Sequence, residues 1–497
     1  MAPDSHLPHA IFVVVYLVVL MGVGALKARS IKNQEDFSLA GRGLSTFVLV
    51  GTLLATWIGT GSIFANAEKT FDVGTAAFLI PISGGVGIIA LYFLAQRIRR
   101  FGQFTIQDIL EARFGVAARV MGTVTIVLAY VIIVSYQYRA GAIVIGYIWP
   151  GISPTYATCF VALFVIAYTA LAGMYSVAYT DVANGVLMTV GVLLALPILF
   201  DKAGGMDGVQ AALTAPELDT FGHFSIVGLL SILLPAFLML ISDANMYQRF
   251  FSAKSPKDAK RSAAWMLVGV LFMELAIIAV ALLGKALVQS ERLDAPEDSA
   301  HVIVHIAFEA LPPFLGAMLV GTIVAIVVST ADSYLLSPST SVVRDVYQRF
   351  IRPNANERSI VLTSRTVVLV LGLIALGLAF TSKEFFSIAL FAYTIYGAGI
   401  TPALFAAFFW KRATATGALA SMVTGVLTAI TWFICIEKKV LTVWAEESGR
   451  TGLAQTCNDL KEAGIDAVIP AVIVSVVVLI GVSLAGSPPD RARVEAF

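Results

Sequence analysis

A carboxylate lies among hydroxyl side chains inside a stretch that is otherwise apolar. Asp332 follows Ser329 and Thr330 and precedes Ser333 in the segment AIVVSTADSY, residues 325–334. Oxygen ligands grouped in this way suit a small, hard cation such as sodium. Because single Ser or Thr residues in apolar helices more often bond to carbonyl groups of their own helix, Asp332 is the residue that favours ion binding here.

Glycine and hydroxyl residues are concentrated in a second apolar stretch, Gly51–Ser62, which reads GTLLATWIGTGS. A continuous helix gains nothing from this composition, since each glycine lowers helix stability by about 1 kcal/mol. An unwound segment would instead expose carbonyl groups that can coordinate a cation. The alternative is a small-residue face around Gly59, Thr60 and Gly61 that lets two helices approach closely. Spacing alone leaves both interpretations open.

Other charged residues lie at depths where lipid does not tolerate an unpaired charge. Asp181 opens an apolar stretch, and its alternative role is that of a helix N-cap. Arg139 lies too deep in its stretch to reach either membrane face easily, and Asp243 could be its partner in a structural ion pair. Glu274 and Lys285 are weaker candidates, to which the sequence assigns no role.

Long apolar helices must position these residues. The chain of 497 residues has only 13% charged residues and a mean hydropathy of +0.86, which is typical of an integral membrane protein. Because a hydrocarbon core of roughly 30 Å requires about 20 apolar residues per helix, the sequence predicts an all-α integral membrane fold with about thirteen transmembrane helices. The predicted spans are residues 8–26, 45–66, 74–95, 117–148, 154–172, 178–200, 224–248, 262–288, 312–337, 360–381, 385–409, 414–436 and 467–487.

Basic residues are distributed unevenly between the segments that join these spans. One side holds most of the lysines and arginines, whereas residues 201–219 and 291–298 on the other side are acidic or nearly neutral. Since cytoplasmic loops are enriched in Lys and Arg, we expect a plasma (inner) membrane protein with its N-terminus outside and its C-terminus in the cytoplasm. The basic segments are residues 27–42, 97–119, 249–261, 344–365, 411–412 and 491–493.

The connecting segments are too short to hold a soluble enzyme domain. The longest, residues 437–466, is predicted as a polar loop. The sequence contains no HExxH motif and no nucleophile and base constellation, and His301 and His305 are typical of a surface helix face rather than a metal site. A formal net charge of +1 favours no nucleic acid. We therefore expect a carrier and not an enzyme, with a small solute and the lipid bilayer as partners and no obligate protein partner.

Several sequence strings stand in the same order as in one known family. They are ATWIGTG from residue 55, AGMYSVAYTD from residue 172, STADS from residue 329, RDVY from residue 344, and a proline at 402 followed by WKR at 410–412 and GALA at 417–420. Nearly the whole chain resembles the solute:sodium symporter family, whose members carry proline, glucose, choline, sialic acid or monocarboxylates. The resemblance implies a single transporter domain, residues 1–497, with a LeuT-type inverted-repeat core of ten helices at 45–409. One helix (8–26) would precede this core and two (414–487) would follow it.

The resemblance also implies that Na⁺ is co-transported and binds between the second and ninth predicted spans. Its ligands would be the carbonyl groups of Ala55, Ile58 and Ile326 and the hydroxyl groups of Ser329 and Thr330.

A second sodium site occurs in some members of the family, and here it would use Asp181, Asp332 and Ser333. Because Asp332 adds a second acid, one carboxyl of the pair could carry a proton, or a proton could replace that ion. A proton-coupled carrier of the same fold is therefore an open alternative.

Fewer of the residues that contact substrate in this family have a matching position in the chain than is the case for the sodium ligands. Arg139 lies close to the arginine that holds the substrate carboxylate in sialic acid carriers, and Trp57 matches an aromatic cage residue of choline carriers, whose second cage tryptophan is Asp243 here. The pattern favours a carboxylate-bearing or zwitterionic solute, such as an amino acid, a monocarboxylate or a sialic-acid-like compound, over a neutral solute or a quaternary amine. The predicted substrate residues are Trp57, Thr60, Gln137, Arg139, Asp243 and Asn245.

Overall fold

The computed structural model describes residues 6–28, 31–221, 224–381, 384–490 and 494, and most of these residues are helical. Within them the strand-like pairing is limited to an isolated bridge between Leu44 and Ala253. Eleven helices in the described part are long and apolar enough to cross a membrane, or up to twelve with one bent helix pair. The basic residues at positions 29, 491 and 493, which entered the orientation argument, lie outside the described residues.

The long helices alternate with short helical segments. In chain order the long helices and their broken partners are α1 (Leu7–Ala28), α2 (Thr46–Trp57), α3 (Gly61–Leu79), α4 (Ile80–Phe101), α5 (Ile106–Phe114), α6 (Val116–Ile148), α7 (Pro154–Lys202), α8 (Ile226–Ser242), α9 (Ala244–Ser252), α10 (Pro256–Gln289), α11 (Pro313–Ser341), α12 (Glu357–Leu378), α13 (Phe385–Phe409), α14 (Ala415–Trp432) and α15 (Val468–Ala485). The shorter segments are Gln34–Leu39, Ala40–Arg42, Gly205–Ala212, Ala215–Leu218, Ser299–His301, Val302–Glu309, Val342–Ile351, Phe433–Glu437, Val440–Glu447 and Thr451–Glu462.

The prediction of a polar loop at residues 437–466 is wrong. Two of the short helices, Val440–Glu447 and Thr451–Glu462, lie in this segment and pack against each other. The many polar side chains concealed a few helical apolar positions, Ala445, Ala454 and Cys457, which the structure buries.

Helix α7 contains 49 residues, which at 1.5 Å per residue would extend about 74 Å, more than twice the thickness of a bilayer core. It is interrupted at Gly173, where φ is 57° and ψ is 175°. The hydroxyl groups of Tyr168 and Thr180 lie 2.8 Å apart across this point. Two residues twelve positions apart on a straight helix would be separated by about 18 Å, so the chain turns back on itself at Gly173.

Two further helices break within apolar segments. Between α2 and α3 the backbone leaves the helix at Ile58, and the axes of the two halves differ by 53°. Between α8 and α9 the break is at Asp243, whose carboxylate accepts a hydrogen bond of 3.0 Å from the backbone N–H of Met246 and so caps α9. Each break frees backbone carbonyl groups inside the protein, where another polar partner is needed.

Helix α11 lies in the centre of the fold. In the most apolar part of Pro313–Ile351, 83% of the residues are buried, whereas in the corresponding part of α1 only 22% are buried. Helix α11 contacts α1, α2, α6, α7 and α12. The small residues and hydroxyl residues of α11 therefore face protein on every side, whereas α1 presents most of its surface to lipid.

A buried charge cluster joins the end of α11 to α5 and α6. The Arg119 guanidinium donates to Asp345 at 2.8 Å and also to Asp108 and Glu111, and Thr123 donates to Asp345 at 3.1 Å. Because three acids surround one guanidinium with charge-assisted hydrogen bonds, this cluster fixes the register between α6 and the segment that follows α11.

Gly173→Ala should destabilise the protein. The backbone at Gly173 has a dihedral combination that only glycine adopts readily, and an added Cβ would lie 2.9 Å from the ring of Phe37. Strain of this kind costs on the order of 1–3 kcal/mol. We expect a lower melting temperature in detergent. Gly377→Ala, inside α12, should not lower it, because nothing lies within 4 Å of that Cβ position and alanine favours a helix more than glycine does. Equal melting temperatures for the two variants would contradict the assigned turn.

Candidate functional site

The break between α2 and α3 faces two hydroxyl groups of α11. The Ser329 hydroxyl lies 3.3 Å from the carbonyl oxygen of Ala55, and the Thr330 hydroxyl lies 3.5 Å from the carbonyl oxygens of both Ala55 and Ile58. Ile326 is buried one turn earlier on α11. Four of the five predicted ligands for the first sodium therefore lie around one point, and their neutral oxygens are of the kind that a hard monovalent cation binds.

Glycine permits this close approach. A Cβ atom at Gly59 would lie 2.9 Å from the Thr330 methyl carbon and 3.1 Å from its hydroxyl oxygen. Any larger side chain at this position would push the broken helix away from α11. The glycine content of the segment is thus explained by both interpretations that the sequence left open, an unwound backbone and a tight helix contact.

Asp181 extends the first oxygen cluster. Its two carboxylate oxygens accept hydrogen bonds of 2.5 Å, one from Ser329 and the other from Thr52 on α2. Asp181 lies within the second half of α7 and is fully buried, so its side chain is committed to tertiary contacts and not to capping a helix. It orients the Ser329 hydroxyl, and it brings a negative charge next to the carbonyl groups of the break.

The Arg249 guanidinium lies between the residues predicted for a second sodium. Only 1% of Arg249 is exposed, and it donates to Ser333 at 2.7 Å, to the Thr52 hydroxyl at 2.9 Å and to Asp181 at 3.4 Å. Asp332 joins the same network, because it accepts a hydrogen bond of 3.2 Å from Ser333. The structure thus brings the three predicted residues together, and it adds a side-chain cation among them.

The sequence analysis places Arg249 among the cytoplasmic basic residues and does not predict this role. A signal for it was present in the sequence: two carboxylates in apolar segments, Asp181 and Asp332, require positive charge nearby. Spacing along the chain could not show which arginine supplies it, because Arg249 is on α9 and the acids are on α7 and α11.

The predicted substrate residues are distributed over three places. Thr60 donates to the side-chain oxygen of Gln137, and both residues are buried. Asp243 and Asn245 are buried at the break between α8 and α9, where Tyr334 donates to Asp243 at 3.3 Å. The side-chain polar atoms of Asn245 and the amide nitrogen of Gln137 have no hydrogen-bond partner in the described part of the chain. These atoms are available to a polar ligand.

Arg139 contacts an aromatic ring. Its guanidinium is 4.7 Å from the centre of the Phe385 ring, and the described residues include no ion pair between Arg139 and Asp243. Charges on Asp298 and Glu68 act on it instead. The structural ion pair that the sequence offered for Arg139 and Asp243 is thus not formed among the described residues.

A cavity of about 60 Å³ lies beside the break and includes one predicted substrate residue, Trp57. Its polar wall is formed by Glu274, which accepts hydrogen bonds from Ser62 at 2.6 Å and from Asn66 at 2.7 Å. The Tyr393 ring faces Trp57 at a centroid distance of 6.5 Å. Sequence reasoning assigned Glu274 no role, because a single acid on a long apolar helix does not reveal what it faces.

The other singled-out residues lie outside this region. Lys285 forms an ion pair of 2.5 Å with Glu217, which is a structural role. His305 lies 2.9 Å from the carbonyl oxygen of Asp294, and His301 packs against the ring of Phe64. The described residues contain no cluster of three or more His, Cys, Asp or Glu side chains that could hold a metal ion.

A broken apolar helix that is joined through oxygen atoms to a neighbouring membrane helix is an arrangement of ion-coupled membrane transporters. A family model described as the sodium:solute symporter family matches residues 37–425. The chain belongs to the sodium:solute symporter family, and the resemblance seen in the sequence is confirmed.

Relatives of the chain with known activities are transporters and not enzymes, as predicted. The high-affinity proline transporter PutP of Bacillus subtilis is 27% identical over 430 residues, which cover 84% of this chain and 89% of the relative. A sodium/proline symporter of Staphylococcus aureus is 26% identical over 456 residues and 87% of each chain. The osmoregulated proline transporter OpuE of Bacillus subtilis is 24% identical over 500 residues, 97% of this chain and 96% of the relative.

Solved structures share the fold at lower identity. A Na⁺-coupled sialic acid symporter in a substrate-bound, outward-open state superposes with a TM-score of 0.79 and 18% identity, over 97% of this chain and 98% of that chain. Mhp1, a nucleobase-cation-symport-1 family transporter, superposes with a TM-score of 0.60 and 12% identity, over 92% and 96%. An all-helical fold shared with known transporters is thus confirmed, while the count of thirteen transmembrane helices stays a prediction.

Arg249→Met should destabilise the protein strongly, because it leaves the buried carboxylates of Asp181 and Asp332 without a cation. Breaking a buried pair in this way costs about 3–5 kcal/mol. The double variant Arg249→Met/Asp181→Asn should recover part of the loss. Arg349→Met is the matched control: this side chain is 49% exposed and pairs with Glu111, so its removal should cost about 1 kcal/mol or less.

The measurement is the free energy of unfolding in mixed micelles for the three variants and the unmodified chain. Similar losses for Arg249→Met and Arg349→Met would contradict a charge-balancing role for Arg249.

Proposed function

We propose that this protein is a symporter that uses a sodium gradient to import a small zwitterionic or carboxylate-bearing solute across the plasma membrane, with proline as the first candidate. The observation that carries the proposal is the convergence of the Ser329 and Thr330 hydroxyls on the carbonyl oxygens of Ala55 and Ile58. The proline transporters among the relatives support the choice of solute.

The proposed architecture has thirteen spans in one transporter domain. In this count α7 is divided into two spans at Gly173, and α2 with α3 and α8 with α9 each form one broken span. Helix α1 is then the extra first helix. Ten spans from α2 to α13 form the inverted-repeat core, and α14 and α15 complete the fold. The basic segments support an orientation with the N-terminus outside and the C-terminus in the cytoplasm.

Sodium would act by joining the break to α11. The proposed ligands are the carbonyl groups of Ala55, Ile58 and Ile326 and the hydroxyl groups of Ser329 and Thr330. When the ion binds, it supplies positive charge to carbonyl oxygens that lipid cannot solvate. Binding therefore stabilises the arrangement in which the break and α11 are close, and Trp57, next to these carbonyl groups, carries the effect to the cavity.

Charge balance favours a single sodium ion. With Asp181 and Asp332 ionised and Arg249 protonated, the buried cluster carries one net negative charge, and one Na⁺ next to Ser329 neutralises it. The Arg249 guanidinium already donates to Asp181 and Ser333, two of the ligands that a second sodium would use. If a second ion does bind, its predicted ligands are Asp181, Asp332 and Ser333. A proton-coupled carrier, in which one of the two acids exchanges a proton, is the alternative.

The substrate would bind beside the break. Trp57 lines the cavity, and Thr60, Gln137, Asn245, Arg139 and Asp243 are the further proposed contacts. The amide nitrogen of Gln137 and both polar side-chain atoms of Asn245, which have no hydrogen-bond partner among the described residues, support a polar ligand. Because the Arg139 guanidinium lies at the Phe385 ring and Arg139 does not line the cavity, we propose that it meets the solute on the way to the cavity and not at its base.

Ser329→Ala and Thr330→Ala should each raise the sodium concentration for half-maximal uptake. Loss of one ligand worth about 1 kcal/mol corresponds to roughly a fivefold increase, while solute affinity at saturating sodium should change less. The measurement is uptake of radiolabelled L-proline into proteoliposomes over a series of sodium concentrations. Ser337→Ala, which removes another buried hydroxyl from the same helix, is the control. Unchanged sodium activation in both variants would exclude the proposed site.

The wild-type protein should import one sodium ion per solute molecule, with a Hill coefficient of one for sodium. The reason is that Arg249 already supplies the second positive charge. Paired fluxes of ²²Na⁺ and labelled solute give the ratio directly. Two sodium ions per solute would contradict the role given to Arg249 and favour the second site, and uptake driven by a pH gradient in the absence of sodium would favour proton coupling.

A further inference from the structure

Glu274 is a carboxylate on α10 that forms part of the cavity wall beside Trp57 and Tyr393. It is 6% exposed. Neither the sodium site nor the buried network of Arg249 involves it. Glu274 thus lies at the place where the proposed function puts the solute, and it has no part in the ion site.

The hydrogen-bond partners of Glu274 are neutral. Ser62 donates to one carboxylate oxygen at 2.6 Å and Asn66 donates to the other at 2.7 Å, and both donors are on α3. Among the described residues no ion pair includes Glu274. Each carboxylate oxygen can accept a second hydrogen bond. A buried carboxylate of this kind can accept further hydrogen bonds, and a positively charged donor would stabilise its charge.

Two aromatic rings also line the cavity, those of Trp57 and Tyr393. They are inclined by only 24° to each other, with centroids 6.5 Å apart, so they stack face to face. Aromatic faces attract ammonium groups, and tryptophan does so most strongly.

We propose that this cavity binds the positively charged nitrogen of the transported solute and that the Glu274 carboxylate is its counter-charge. The inference rests on the proposed function and narrows it. A zwitterion or an organic cation satisfies both Glu274 and the aromatic faces, whereas a simple monocarboxylate would add a second negative charge beside Glu274. Because Ser62 and Asn66 are on α3, binding of the nitrogen to Glu274 also holds α3 against α10.

The experiment compares three ring compounds of similar size on the purified full-length protein. L-Proline is a zwitterion, protonated pyrrolidine is a cation, and tetrahydrofuran-2-carboxylate is an anion with oxygen in place of the ring nitrogen. Binding is measured by isothermal titration calorimetry in sodium. We expect both nitrogen compounds to bind and proline to bind at least tenfold more tightly than its oxygen analogue.

Glu274→Gln should weaken proline binding by about ten- to a hundredfold, as expected for a lost charge-assisted hydrogen bond, and it should remove the preference over the oxygen analogue. Ser62→Ala takes away one donor but leaves the charge, so it should retain that preference. If Glu274→Gln does not fold, Glu274→Asp and the comparison of ligands on the wild-type protein provide the test.

The inference is overturned if tetrahydrofuran-2-carboxylate binds wild-type protein as tightly as proline, if neither nitrogen compound binds, or if Glu274→Gln keeps the preference for proline. Repeating the titrations with potassium in place of sodium distinguishes a failure of the Glu274 inference from a failure of the proposed sodium coupling. Binding that is equal in both salts would contradict sodium coupling, while the ligand preference would still report on Glu274.

Discussion

The carbonyl groups at the break between α2 and α3 are the constraint on which the rest of the structure depends. Lipid offers no hydrogen-bond donor, so a freed carbonyl inside an apolar span must find its partner in the protein or in an ion. Helix α11 supplies hydroxyl groups from Ser329 and Thr330. Gly59 lets them come close, because a Cβ there would meet Thr330 at 2.9 Å. The central position of α11 and the glycine content of the break both follow from the need to give these carbonyl groups a polar partner.

Buried charge is the second constraint, and it connects elements that are distant in the sequence. Asp181 on α7 binds both Ser329 and Thr52, and Arg249 on α9 donates to Asp181, Thr52 and Ser333. A charge in a medium of low dielectric constant is stable only beside its opposite. The four helices that contribute these residues are thus coupled through one network next to the proposed sodium ligands, so that a bound ion alters the balance of the whole network.

The break also gives ion and solute a common structural element. The carbonyl groups of Ala55 and Ile58 face α11, while Trp57 between them lines the cavity that Glu274 also lines. A movement of the break toward α11 therefore changes the shape of the cavity. Coupling of two ligands requires an element whose position both of them influence, and this short segment has that property.

The sequence by itself determined the class of fold and the hydroxyl-rich part of α11, because apolar length and hydroxyl grouping are local properties that the bilayer constrains. Spacing left the break after α2 open, the break at Asp243 was not predicted, and the ligands proposed for sodium came from the family resemblance. Only the tertiary structure decided which charges meet. It placed Arg249 with Asp181, formed no ion pair between Arg139 and Asp243 among the described residues, and put Glu274 at the cavity. Ion pairs between different helices depend on how those helices pack, and a residue's position along one helix carries no record of the face that another helix covers.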